Sequence, residues 1–263
     1  MRLGLIGGGA IGRDVLRAER VGELGQEIDI AAVLVRRERD DSDPAITHDP
    51  DVFFEHELDV VVECAGHQAV RDHGVRCLES GADLILTSIG ALVDDALRGR
   101  IEQTAERVGQ RLTIASAGIG ALDILAAAAV GGLDRVQMTV RKDPSAWYGT
   151  EAEQLCDLAN LSEPVTIYEG SVREGAALYP QNVNISAAVA LAGAGVDRTE
   201  LVILADPTIR THVIEIVAEG AFGSFRFVED VEPTEDNPKT GKLVAMAVIK
   251  TIRQLASPVV VGG

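Results

Sequence analysis

The sequence predicts an α/β chain in two parts: an N-terminal parallel sheet wound with helices, then an α+β domain carrying a mostly antiparallel sheet. Three observations carry that expectation. A glycine-rich junction follows the first apolar run, at residues 3–6. Short apolar runs then alternate with helical intervals as far as Ala115. Beyond Gly120 the texture changes, and apolar and polar residues take turns.

The first strand, Leu3-Gly4-Leu5-Ile6, leads straight into Gly7-Gly8-Gly9-Ala10-Ile11-Gly12. Gly7, Gly9 and Gly12 fill the spacing G-x-G-x-x-G. That spacing supplies a tight turn, close backbone approach to a pyrophosphate, and close packing of helix on strand. The helix expected near residues 10–20 aims its N-terminal N–H groups and positive dipole end at the phosphates. Gly7, Gly9, Ala10, Ile11 and Gly12 are therefore candidate cofactor contacts in a Rossmann-type domain. Residues 30–35 form the second strand. The next position commonly holds an acid that binds the ribose hydroxyls of NAD, but here stand Arg36 and Arg37. Arg36 suits the 2′-phosphate of NADP or stacking on adenine; the alternative is that the two arginines cap an exposed strand end. The expected cofactor is NAD or NADP.

Three further runs, at residues 60–64, 84–87 and 112–115, continue the alternation and argue for a parallel sheet covered on both faces. Ligands bind such sheets at the carboxyl ends of the strands. That rule brings Cys64, Ala65, Gly66 and Ser88 to the cofactor, with His67 as a helix-start or crevice-lining residue.

In the second half, Val136, Met138 and Val140 alternate with polar residues, which reads as a half-exposed strand. Thr150-Glu151-Ala152-Glu153 reads as a capping box opening a short helix. Strands are expected at 166–168, 201–204 and 212–218. A helix should run from Pro180-Gln181-Asn182-Val183-Asn184 through Ala192 and end at Gly193 or Gly195. Asn237-Pro238-Lys239-Thr240 should start a last helix, from Gly241 to about Leu255, that packs back on the first domain. The expected division is a dinucleotide-binding domain at 1–116, a catalytic and oligomerisation domain at 117–236, and the returning helix at 237–263. The far face of the second sheet offers a surface for a homodimer.

Composition narrows the function. The 263 residues carry 41 Asp+Glu against 24 Lys+Arg, a formal charge of -17. That balance leaves little surplus for a basic patch, so nucleic acid is not an expected partner. Hydrophobic residues make up 46% of the chain and mean hydropathy is +0.14, enough apolar surface to fold. The run at residues 119–133 is broken by Asp123 and glycines, so no membrane partner is expected. Cys64, Cys77 and Cys156 form no CxxC pair, so neither a metal site nor a disulfide framework is expected. With no basic and apolar leader visible, the expected location is the cytoplasm. Only four of the basic residues are lysines, the balance of a salt-tolerant proteome or of an acidic enzyme from a GC-rich genome.

Taken together, the segments at 7–12, 61–66, 87–92, 116–123, 147–150, 178–193, 205–207, 212–214, 220–223 and 237–240 resemble the L-aspartate dehydrogenase family, of the kind that feeds nicotinamide-nucleotide biosynthesis. They lie in order over nearly the whole chain. Two departures stand out. The family usually reads Ser-Gly-Ala-Ile-Gly where this chain has Ser116-Ala117-Gly118-Ile119-Gly120. It often has an asparagine just before the dipeptide leading to its active histidine, where this chain has Arg210-Thr211.

The resemblance implies that His212 is catalytic and that Asn184 and Gly118 contact the cofactor. The implied reaction is oxidation of L-aspartate by NAD or NADP to iminoaspartate, which hydrolyses to oxaloacetate and ammonia. On spacing alone, His212 shares its strand face with Ile214, Ile216 and Ala218, as a core histidine would. A group titrating near ~6.5 suits proton transfer from the substrate ammonium or from the water attacking the imine. Two substrate carboxylates need cationic partners, and Arg141, Lys142 and Lys239 are candidates; solvated surface charge is the alternative. Two other readings compete. One is a related two-domain NAD(P) oxidoreductase acting on another amino acid, an aldehyde or a cyclic imine. The other is a non-catalytic NAD(P)H sensor, which would want a DNA-binding or docking segment.

Overall fold

The computed structural model describes residues 1–37, 45–116, 119–180, 183–235 and 240–262. The chain forms two compact units, Met1–Ala117 with Ala245–Val261, and Gly118–Val244 with Gly262–Gly263.

The first unit is a doubly wound sheet. Its elements run β1 (Arg2–Ile6), α1 (Ala10–Arg20), β2 (Asp29–Leu34), β3 (Ile46–Thr47), α2 (Pro50–Glu55), β4 (Val60–Glu63), α3 (His67–Glu79), β5 (Asp83–Leu86), α4 (Asp95–Val108) and β6 (Leu112–Ile114). The six strands lie in the order β3-β2-β1-β4-β5-β6, and every pairing is parallel. Such a sheet buries both faces, which is why β4 is four buried residues in succession rather than an alternating strand. The helices start on local chemistry. Asp49 accepts from the Asp51 N–H at 2.8 Å with Pro50 at the first helical position of α2. Asp94 accepts from the Ala96 and Leu97 N–H groups, both at 3.1 Å. The short pair β3 and α2 has too little periodicity to read from sequence, yet it closes the edge of the sheet beside β2.

The second unit holds α5 (Leu122–Gly131), β7 (Leu133–Lys142), α6 (Ala152–Leu155), β8 (Val165–Ser171), α7 (Val172–Leu178), α8 (Asn184–Ala192), β9 (Thr199–Ala205), β10 (His212–Gly220) and β11 (Gly223–Val231). The sheet order is β11-β10-β7-β9-β8. It is mixed: β7 and β9 run parallel, and the other three pairings are antiparallel. One face is apolar, with Val136, Met138, Val140, Ile203, Ile214 and Ile216 buried, and α5 and α8 pack on it. The helix α8 brings small residues, Ser186 to Ala190, all buried against that face.

Three sequence expectations need correction. Thr150 does not form a capping box with Glu153. Its hydroxyl accepts from the Ala152 N–H at 3.3 Å and donates to the Trp147 carbonyl at 2.6 Å, which leaves α6 a single turn. The strand β11 lies outside the sequence expectations, because the exposed Val228 and the inward Glu229 invert the period-2 pattern that Phe225 and Phe227 begin. The last helix, α9 (Leu243–Ala256), begins after Gly241 rather than at it, since Gly241 is held in a bridge to Pro233. Helix α9 places Val248 and Ile252 in the core of the first unit beside Leu3, Val33, Val60 and Ile85. Each fully buried side chain of that size contributes roughly 1.5–3 kcal/mol.

Candidate functional site

The first unit carries a cavity of about 730 Å³ at the carboxyl ends of β1, β2 and β4. Gly7, Gly8 and Gly9 line it, with Arg36, Arg37, Cys64 and Ala65 around them. Glycine is required here by contact. Gly7 has φ +115°, and a Cβ on it would lie 2.8 Å from the Cys64 carbonyl. A Cβ on Gly12 would fall onto the Gly7 carbonyl oxygen. Gly9, by contrast, has nothing within 4 Å of a Cβ position, so its bare backbone faces open space. It caps α1 with no side-chain hydrogen bond, and α1 has no acid in its first turn. The start of α1 thus has neither a side-chain cap nor an acid of its own where the glycine spacing anticipates a phosphate.

Behind this cavity lies a buried acid. Glu63, at the end of β4, is 1% exposed. Its Oε1 accepts from the Ala65 and Gly66 N–H groups, both at 2.8 Å, and from the Ser88 hydroxyl at 2.9 Å, while Oε2 accepts from the Ser88 N–H at 3.1 Å. The carboxylate therefore ties the ends of β4 and β5 together and sets the loop that forms the cavity wall. Ser88, itself buried, donates its hydroxyl to this link. The Cys64 thiol sits 3.4 Å from the carbonyl oxygens of Ile6 and Gly7, and burial pushes it well above the ordinary thiol range, with the Glu63 charge adding to the rise. It is a packing residue, not a thiolate. Ala10, Ile11 and Gly12 form the first turn of α1, and Gly66, at φ +127°, is the N-cap of α3. His67 is the first residue of α3. Gly118 and Lys239 lie outside the described residues.

In the second unit the register of the sheet does the assembling. His212 on β10 pairs directly with Lys142 on β7, so both point to the same face. They are 5% and 3% exposed. The Lys142 ammonium lies 5.7 Å from the centre of the Trp147 ring, a cation–π distance. Trp147 is itself fully buried, and its indole N–H has no hydrogen-bond partner among the described residues. Asn184 opens α8, which packs against β7 and β9.

Arg141 is separated from this pair. The pleat turns it to the opposite face, where Nε donates to Asp206 Oδ2 at 3.0 Å and Nη2 donates to the same oxygen. Asp206 is fully buried and also accepts from the Thr208 N–H at 2.9 Å and hydroxyl at 2.6 Å. Burial raises the Asp206 carboxyl, but the Thr208 and Arg141 bonds outweigh it and hold the group below the usual carboxylate range. Arg210 pairs with Asp143, the residue after Lys142, so the departure noted before His212 ties the start of β10 to the end of β7.

One more acid shares the face of His212. Glu229 on β11 is opposite Ile214 in register, one row from Val231, which is opposite His212. Its Oε2 accepts from the Gly120 N–H at 3.1 Å, and its Oε1 is buried without a partner among the described residues. Burial pushes this carboxyl up to about 7, although the Gly120 bond works against the rise. The signal was present in the sequence as an acid in step with Phe225, Phe227 and Val231. Among the described residues no group of three His, Cys, Asp or Glu is placed to hold a metal ion, and no helix is long and apolar enough to cross a membrane.

Two family models match the chain. One, described as aspartate dehydrogenase, C-terminal, covers residues 123–255; the other, described as homoserine dehydrogenase, NAD binding domain, covers residues 7–115. An L-aspartate dehydrogenase of Pseudomonas aeruginosa is 39% identical over 94% of this chain and 95% of its own length. One from Cupriavidus taiwanensis is 45% identical over 76% of each. Among solved structures, an aspartate dehydrogenase from Thermotoga maritima superposes with a TM-score of 0.81 at 23% identity, covering 100% of this chain and 99% of that one.

Proposed function

This chain belongs to the aspartate dehydrogenase family, and from that premise we propose that it oxidises L-aspartate with NAD or NADP to iminoaspartate, which water converts to oxaloacetate and ammonia. The observation that carries the reading is the buried, cross-strand pair of His212 and Lys142. A buried lysine beside a buried histidine suits a dianionic substrate that must also exchange protons.

The nucleotide falls to the first unit. Gly7, Gly8 and Gly9 and the uncapped start of α1 suit the pyrophosphate, and Arg36 and Arg37 suit the adenosine end. When bound, the oxidised nicotinamide supplies the acceptor for the hydride that leaves the substrate Cα. Arg36 in place of an acid supports NADP use without excluding NAD. Asn184 and Gly118 are carried over from the family as cofactor contacts. In the second unit Lys142 holds a substrate carboxylate and orients Cα, which supplies much of the rate in a reaction of this kind. His212 exchanges the protons that the imine chemistry requires. Lys239 stays a candidate for the second carboxylate.

Three features give the wider setting. The product fits a supply role in nicotinamide-nucleotide synthesis. Val213, Val217, Val202 and Leu204 on the outer face of the second sheet are only half-buried, which suits a homodimer interface. Three free cysteines suit a reducing compartment such as the cytoplasm.

The test is NAD(P)H formation with L-aspartate set against a panel of other amino acids. L-aspartate is expected to give the highest kcat/KM, and His212→Ala to lower it about 10²–10⁴-fold while NAD(P)H binding, read by fluorescence, stays within twofold. No aspartate-dependent reduction at low or high salt would sink the proposal.

A further inference from the structure

We propose that Glu229 is the anionic partner of the substrate ammonium and the acceptor of its proton. This rests on the aspartate-oxidation reading and deepens it. The ammonium is a charge that reading leaves without a partner: Lys142 answers a carboxylate, and His212 is left with two proton transfers.

The geometry points to Glu229 in three ways. First, it shares a face with both residues. The register sets His212 against Val231 and Ile214 against Glu229, so Glu229 is the diagonal neighbour of His212. Diagonal neighbours lie roughly 7–8 Å apart, within reach of a long side chain. Second, only half of the carboxylate is satisfied. The Gly120 N–H, at 3.1 Å, fixes Oε2 and so orients the group, while Oε1 is buried with no partner among the described residues. An ionised oxygen left that way is costly, and a cation arriving beside it removes the cost. Third, the surroundings make it a base suited to neutral pH. The other ionisable groups on this face of β10 and β7 are His212 and Lys142; α5, packed on β10, contributes Asp123, and α8 has no ionisable residue.

The step balances as follows. The substrate enters as the ammonium, and the Glu229 carboxylate takes one N–H proton and becomes neutral. The nitrogen lone pair so released forms the C=N bond as the Cα–H bond breaks, and its electron pair leaves as hydride to the oxidised nicotinamide. The product is an iminium. His212 is then needed only for the water that attacks it.

The decisive variant is Glu229→Gln, whose amide oxygen still accepts from Gly120 but takes no proton. If Glu229 is the acceptor, kcat/KM for L-aspartate falls at least 100-fold, within the span of general-base catalysis. The acid limb of the pH profile drops from two ionisations to one, and Glu229→Asp recovers part of the rate. Inhibition by succinate, which has both carboxylates and no ammonium, is unchanged. A Glu229→Gln enzyme within threefold of the parent and with the same acid limb overturns the proposal. So does a variant that loses succinate and aspartate equally, which reduces Glu229 to an anchor for Gly120. Should the variant not fold, infrared titration of the parent enzyme decides: a buried carboxyl near neutral pH must lose its proton when an unreactive N-methylated aspartate binds, and an unmoved band overturns the idea. An intact enzyme inactive on aspartate would instead overturn the underlying reading, before any variant is made.

Discussion

The two units prepare for ligands in opposite ways. The cavity of the first unit is built mostly from backbone: a turn in which Gly7 and Gly12 have no room for a Cβ, a helix start without a side-chain cap, and a loop fixed by the buried Glu63. Its parts are close in sequence, and its chemistry is generic to any nucleotide pyrophosphate. The candidate site of the second unit is built from side chains. Lys142, His212 and Glu229 come from three strands and share one face of the sheet only through its register. A backbone site should fail by losing its shape, and a side-chain site by losing one function at a time.

Gly12→Ala should separate these modes most sharply. The added Cβ meets the Gly7 carbonyl oxygen, and neither the helix nor the turn can yield without moving the other. Overpacking of this kind costs about 1–3 kcal/mol. Both NAD and NADP binding should weaken by roughly 100-fold or more, about 3 kcal/mol, read by NAD(P)H fluorescence titration alongside a lower Tm. Normal binding would mean that the nucleotide does not use this turn.

Lys142→Met is the matching change in the second unit. Methionine keeps most of the stem packed against Trp147 and removes the charge. KM for L-aspartate should rise about 10–100-fold, about 1.4–2.7 kcal/mol, with nucleotide affinity unchanged. Equal effects on both ligands would mean that the substitution damaged the unit rather than the site.

This contrast also explains what the sequence revealed and what it hid. The glycine turn is readable because its parts are neighbours along the chain, and the same holds for the strand ends around Cys64. The alternation of Val136, Met138 and Val140 placed β7, and one more step along the same face reaches Lys142, which is buried with them. Arg141 and Lys142 looked equivalent as adjacent cations, but the pleat gives one to Asp206 and the other to the face of His212. Pairings such as His212 with Lys142, or Ile214 with Glu229, depend on a register that no single segment encodes. Ser88 shows the same limit: its place at a strand end is readable, but the buried carboxylate that accepts from its hydroxyl lies 25 residues away.

Glu229 offers a smaller effect with a definite sign. Its carboxyl is raised from 4.5 to about 7 in the folded chain, so the folded state binds more protons than the unfolded state across that interval. Stability contributed by the neutral form is present below pH 4.5 and is lost as pH rises through 7. Because Glu229 as a whole residue is only half-buried, the loss should amount to only about 1 kcal/mol. Urea denaturation at pH 5 and pH 8 should show Glu229→Gln flattening this decline and exceeding the parent in stability at pH 8. A parent whose stability is no more pH-dependent than the variant's would mean that the carboxyl ionises freely.

Arg36→Ala should have the mildest effect, and it probes a place where the backbone site relies on charge. Arg36 lies at the wall of the cavity, exposed, just past the end of β2. An exposed guanidinium is screened, so its contact with a phosphate should contribute on the order of 1 kcal/mol. That corresponds to a rise of about fivefold in KM for NADP, with KM for NAD nearly constant. The neighbouring Arg37 lines the same cavity, and the double substitution should enlarge the difference rather than create a new one. If both cofactors weaken equally, Arg36 stacks on the adenine they share. If neither changes, Arg36 is surface charge, and discrimination between the cofactors lies elsewhere in the cavity wall.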